Sequence, residues 1–255
     1  MRCLLPLAWF LLHGGGSEPA LAAGASLLQG AYVWQRQWTP ALSSALAQAG
    51  TNLNGVCVLA AEIGWEHKQP VVVRVPVDYA ALRKLPYPVG IALRIGAFAG
   101  PFAAEDEPAR VILGLAESVL HEAKAQQVTV RELQIDFDAA ESKLAGYRVW
   151  VEAIRRRVAP MPVVITTLPS WLDSPAFASL VQAADAFVLQ VHSFERPADS
   201  RTPFELCVPA RARRAVERAG ALGRPFQVAL PTYGYLVAFD ATGKFVGLSA
   251  EGPVK

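Results

Sequence analysis

The chain has 255 residues, 53% of them hydrophobic and 18% charged, and 24 Lys and Arg against 22 Asp and Glu leave a formal charge of +2. That composition builds a sizeable core and excludes a disordered chain, while near-neutrality without a dense basic stripe gives no case for nucleic acid. One α/β domain accommodates the whole length, because barrels of that class run to roughly 250 residues.

The chain opens with Met1-Arg2, the apolar run from Cys3 to Leu12, a Gly-rich break and Ala20-Leu21-Ala22. A basic start, a short apolar stretch and small residues at a cut site mark a secretory signal, expected to be removed after Ala22. Residues 23–255 are then secreted or periplasmic. The apolar run is shorter than the ~20 residues a spanning anchor needs, so no transmembrane helix is expected after cleavage. Cys3 leaves with the signal, and Cys57 and Cys207 are expected to be buried thiols. His67, His121 and His192 are isolated, with no metal-ligand spacing. No cofactor is expected, and the oligomeric state is left open.

From Gln29 onward, apolar β-branched runs alternate with amphipathic ones. Strands are predicted over 30–34, 55–61, 89–95, 132–138, 162–167, 186–191 and 226–230. Helices are predicted over 40–49, 78–84, 108–127, 146–158, 174–183 and 203–219. Thr39-Pro40, Glu107-Pro108, Ser174-Pro175 and Thr202-Pro203 each place proline at a first helical position after a residue able to cap. Val71–Val75 reads as a strand, but Pro76 and the helical pattern beyond it assign the stretch to an extended second crossover. Arg211, Arg213, Arg214 and Arg218 recur at helical spacing as one solvated face. Trp150 fits the apolar stripe of its helix with Val149, Ala153 and Ile154.

After Leu230 come Leu236–Phe239, the turn 240–244 and Phe245–Leu248, a hairpin instead of an eighth strand-helix unit. The predicted fold is therefore an α/β, (β/α) TIM-type barrel of about seven units, incomplete, with a β-hairpin at its C-terminal end. No Gly-rich phosphate loop follows the first strand, which disfavours a doubly wound sheet. An unclosed barrel leaves an edge and an uncovered core, so the sequence is expected to be the N-terminal part of a longer protein.

Leu133-Gln134-Ile135-Asp136-Phe137-Asp138 is an apolar strand carrying two carboxylates at i and i+2. Strand side chains alternate, so both acids share a face, and acids on a buried parallel strand are costly without a use. Barrel chemistry sits at the C-terminal strand ends, which makes Asp138 the expected centre of a site and Asp136 its support. Glu62 and Glu141 are candidate second carboxylates; Glu62 is equally explained as a salt-bridge partner of Arg94, and Glu141 as a solvated loop charge. Trp34, Arg94, Trp171, Gln190, His192 and Tyr233 fall at other strand ends as candidate substrate-binding residues. Aromatic faces that stack on pyranose rings, beside carboxylates, amides and a guanidinium that bond hydroxyls, point to a carbohydrate ligand.

The run Glu132–Asp138 resembles the fourth-strand signature of glycoside hydrolase family 18, the chitinase-like enzymes, where D-x-x-D-x-D-x-E ends on a glutamic general acid. Leu230-Pro231-Thr232-Tyr233-Gly234 resembles that group's P-x-Y-G. More of the chain is similar to the bacterial domain of unknown function 3142, a relative within the glycosidase barrel superfamily. The segments that match it are Leu133–Asp138, Lys143–Trp150, Ile165–Leu172 with its Thr-Leu-Pro-Ser-Trp block, and Leu189-Gln-Val-His192. Carried over residue by residue, the chitinase motif puts its last two aspartates on Asp136 and Asp138 but its general acid on Ala140, and alanine holds no proton. Glu141 is one residue late and points elsewhere unless a bulge re-aims it. The resemblance implies either a hydrolase acting on a glycan or a non-catalytic glycan-binding or envelope protein that has lost the acid. An amidase or deacetylase lacks its metal ligands.

Overall fold

The computed structural model describes residues 27–49, 52–192, 197, 199–202, 205–232, 234 and 236–249; the signal read over residues 1–22 lies outside them. Seven parallel strands run β1 (Gly30–Val33), β2 (Gly55–Glu66), β4 (Val89–Ile95), β5 (Val130–Phe137), β6 (Val163–Thr167), β7 (Ala186–Gln190) and β8 (Phe226–Ala229), paired in that order. Helices α1 (Pro40–Ala49), α2 (Tyr79–Leu82), α3 (Glu107–Ala125), α4 (Leu144–Val158), α5 (Pro175–Ala183) and α6 (Pro209–Gly220) form the crossovers. β9 (Leu236–Phe239) and β10 (Phe245–Ser249) make a separate antiparallel hairpin. The expected incomplete (β/α) barrel with its terminal hairpin is therefore the observed fold.

Local chemistry sets the boundaries. Thr39 Oγ1 accepts from the Leu42 amide at 3.2 Å, and Pro40 follows as the first residue of α1. α3 is capped one residue earlier than the sequence suggested: Asp106 accepts from the Ala109 amide at 2.9 Å, and Glu107 already lies in the first turn. The helix expected from Pro203 begins instead at Pro209, after an extended Val208. Pro209 there supplies the preset φ and missing donor of a first helical position. The run 71–75 is no crossover. β3 (Gln69–Arg74) folds back antiparallel on an extended β2, pairing Glu62 with Val73 and Trp65 with Pro70. As an edge strand β3 tolerates its proline and leaves Val71, Val72 and Val73 about two-fifths exposed.

Outward side chains of the strands pack under the helices. Leu133, Ile135 and Phe137 of β5 are buried, and Trp150 of α4 sits in an aromatic cluster with ring centroids 4.6 Å from Phe102, 5.0 Å from Phe98, 6.0 Å from Phe137 and 6.2 Å from Trp65. Cys57 is buried and Cys207 only half-buried; both are free thiols. Arg211, Arg213, Arg214 and Arg218 all lie exposed on α6, and Arg218 pairs with Asp173.

The opposite face is concave. Tyr32 Oη on β1 donates to Gln134 Oε1 on β5 at 2.7 Å, although three strand spacings, about 14 Å in a flat sheet, separate the two strands. Only a sheet curled toward that face brings the two side chains together. Gln134 in turn donates to Glu132 at 2.6 Å, so the even-numbered residues of β5 line the inside of the curl.

Candidate functional site

In-register parallel pairing turns single residues into a row. Glu62 of β2 is paired with Arg94 of β4 and Arg94 with Asp136 of β5. Ile135 is paired with Ile165, which puts Thr166 of β6 next to Asp136, and Thr166 is paired with Val188 of β7. Paired residues on neighbouring strands point the same way, and Asp136 shares the concave face with Gln134. Glu62, Arg94, Asp136 and Thr166 thus stand side by side across the curl, near the C-terminal ends of their strands. Arg36, beyond β1, extends the row by pairing with Glu62.

Asp136 is its buried charged member, 7% exposed. Thr166 Oγ1 donates to Asp136 Oδ1 at 2.7 Å, and Arg94 Nε lies 3.5 Å from Oδ2. Burial pushes its carboxyl above the ordinary carboxylate range; the charge of Asp138 adds to the rise, and Thr166 and Arg94 oppose it. The pair expected to share a face is therefore split by depth. Asp138 lies past the last residue of β5 and is exposed, so the acid held toward its neutral form is Asp136.

Other predicted residues join this mouth. His192, two residues past β7, is half-buried; burial lowers its pKa, while its bond to the Ala229 carbonyl of β8 and the charge of Asp138 act the other way. Gln190 closes β7, half-buried and paired with Ala229. Trp34 stacks on Tyr32 with centroids 5.1 Å apart and ring planes 11° from parallel, a flat aromatic edge beyond β1.

Two expectations change. Glu62 takes Arg36 as its ion-pair partner, and Arg94 turns to Asp136. Trp171 does not reach the mouth: the short 3-10 turn Pro169–Trp171 carries its ring back under the sheet, where it is 1% exposed and packs 6.0 Å from Phe177. Glu141 opens another short turn, Glu141–Lys143, as an exposed side chain, after an extended Ala140. Tyr233 lies outside the described residues.

Tyr32, Gln134 and Arg36 are site neighbours the sequence reading passed over. Tyr32 and Gln134 each lie two residues before a chosen candidate on the same strand face, which is the signal that would have found them. Among the described residues no group of three or more His, Cys, Asp and Glu is arranged to hold a metal ion, and no helix is long and apolar enough to cross a membrane.

A family model described as Domain of unknown function (DUF3142) matches residues 90–255. No curated protein sequence matches the chain. Among solved structures it is similar to the spore cortex-lytic enzyme SleL of Bacillus megaterium QM B1551, with TM-score 0.60 and 16% identity over 87% of this chain and 55% of that one. SleL of Bacillus cereus gives TM-score 0.62 and 12% identity over 88% and 55%. The family 18 chitinase ChiB from the chitin utilization locus of Flavobacterium johnsoniae gives 0.57 and 11% over 89% and 74%. At such identities the likeness shows the fold, and the chain spans little more than half the length of either cortex-lytic enzyme.

Proposed function

The chain belongs to the DUF3142 family, and from that premise we propose that it is a secreted or periplasmic glycosidase-like protein acting on a glycan at the barrel mouth, with Asp138 at the centre of the site. The observation that carries this reading is the charged row on the concave face, ending beside an exposed carboxylate at the strand ends. The fold is that of glycan-processing enzymes such as the cortex-lytic enzymes and the chitinase.

The residues divide the work by depth. Asp138, solvent-accessible, meets the scissile linkage as acid or nucleophile. Asp136, buried and inclined to keep a proton, supports Asp138 from the deeper position without setting a second full negative charge beside it. Glu62, next in the row beyond Arg94, is the candidate partner carboxylate. Trp34 on its Tyr32 backing gives a sugar ring a face, and Gln190 and His192 offer bonds to hydroxyls. A carboxyl separation near 5–5.5 Å in the bound state retains anomeric configuration, and one of roughly 6.5–9.5 Å inverts it.

One observation favours a second reading. Ala140 stands where the resembled signature has its general acid, and Glu141 is exposed in the following turn. A protein that binds glycans without cleaving them keeps the row and dispenses with the acid. Reducing-end release from β-linked amino-sugar polymers and from acidic polysaccharides, measured alongside equilibrium binding, separates the two. Turnover by the wild type that is lost in Asp138→Asn supports the hydrolase. Binding that survives the substitution with no turnover in either protein supports the binding module, and neither binding nor turnover refutes both.

A further inference from the structure

Arg94 differs from the other charged residues of the row in how little of it is used. Arg36 and Glu62 pair with each other, and Asp136 receives the Thr166 hydroxyl. Arg94 touches Asp136 only through Nε at 3.5 Å, longer than the ~2.7–2.9 Å of a charge-assisted hydrogen bond. Its two terminal amino groups meet no protein partner among the described residues, and 51% of its side chain is exposed. A planar fork of donors is therefore presented to the cleft, one strand away from the strand that carries Asp138.

The surrounding charge leaves that fork largely uncompensated. Arg36 and Glu62 cancel each other. Asp136 is a weakened counter-charge, because its burial favours the neutral acid. The exposed negative charge, Asp138, stands at the end of β5. The cleft is thus bipolar, with its positive side on β4 and its negative side on β5. A ligand that spans it carries a group able to take two parallel N–H donors, placed about one strand spacing, ~4.8 Å, from the linkage facing Asp138.

We propose, building on the glycan reading above, that Arg94 is the specificity-determining residue of the cleft and that the glycan carries an oxyanion, a ring carboxylate or a sulfate, held by the terminal amines of Arg94. A purely structural Arg94, serving only to neutralise Asp136, leaves the choice between acidic and neutral sugars unchanged when it is replaced. The two roles therefore differ in discrimination, not in stability.

The test is binding of the full chain to matched oligosaccharides: oligogalacturonides, their methyl esters, sulfated oligosaccharides and neutral N-acetylglucosamine oligomers. The acidic members of one class, carboxylated or sulfated, are expected to bind at least about tenfold more tightly than the neutral probes, the smallest effect of one charge-assisted bond. That preference shrinks as salt rises. Arg94→Gln removes it and Arg94→Lys keeps part of it, with thermal unfolding confirming that both variants fold. Neutral probes bound as tightly as acidic ones overturn the proposal from the wild type alone, and so does an acid preference that persists in Arg94→Gln. Binding of neutral probes only leaves the glycan reading standing and removes the role of Arg94. No binding to any probe refutes the glycan reading, and this proposal with it.

Discussion

Replacing Thr166 by valine removes a hydroxyl and keeps the branched shape, so it isolates the 2.7 Å bond to Asp136 Oδ1. The two residues are 3% and 7% exposed, and water has little access to replace the lost donor. A hydrogen bond to a charged group contributes about 1.5–3 kcal/mol net, and one between neutral groups about 1 kcal/mol. The substitution is therefore expected to cost about 1.5–3 kcal/mol where Asp136 is ionised and about 1 kcal/mol where it is protonated. Burial raises the Asp136 carboxyl, so the fold prefers the protonated acid. That contribution is fully present below the unfolded carboxylate value and is lost as pH rises through the raised value. The Thr166 bond opposes the rise, so without it Asp136 moves higher still and the loss with pH becomes larger. Urea unfolding of wild type and Thr166→Val at about pH 4 and about pH 8 should give the larger difference at the higher pH. Equal differences at both, or one under about 0.5 kcal/mol at the higher pH, refute this account of Asp136.

Three further substitutions probe the scaffold. Trp150→Ala empties the centre of the aromatic cluster and should destabilise by about 3–5 kcal/mol in denaturant unfolding; a cost under about 1 kcal/mol means the cluster is not packed as described. Tyr32→Phe strips Gln134, itself 1% exposed, of the donor to its carbonyl and should cost about 1–3 kcal/mol, with faster amide exchange in β1 as the local readout. Gly146→Ala builds a Cβ 2.4 Å from Phe102 Cδ2 and 2.9 Å from its Cβ, so overpacking of about 1–3 kcal/mol should outweigh the gain of at most ~1 kcal/mol in helix propensity. A melting temperature that rises in Gly146→Ala contradicts that packing.

The seven barrel strands were legible because each is a short apolar, β-branched run, and α1 and α5 because proline marks their first turns. What the sequence hid was context. Val71-Val72-Val73 has the composition of a strand, but only its pairing with a lengthened β2 shows that it lies outside the barrel path. Thr202-Pro203 offers a capping residue and Val208-Pro209 does not, yet α6 begins at Pro209. At the site, alternation predicts Asp136 and Asp138 on one side but carries no information about depth. β5 ends at Phe137, and that boundary makes one acid buried and the other exposed. Glu62 and Arg94 are adjacent in register, as opposite charges on neighbouring strands suggest, yet each takes another partner, because Arg36 reaches Glu62 from a loop that no pattern places. Trp171 shows the same limit: a tryptophan after a strand is a mouth residue or a core residue according to a three-residue turn.

The Tyr32–Gln134 hydrogen bond closes a stretch of chain 102 residues long. Closing so long a loop has an entropy cost that is recovered only after β2 and β4 have assembled between its ends, and such non-local contacts form late. The row from Glu62 to Thr166 depends on the same curl. During synthesis, a nascent chain that has not yet delivered β5 and β6 has the first strands and their helices but only part of the row. On the proposed reading, a competent site then arrives abruptly, as a property of the assembled sheet.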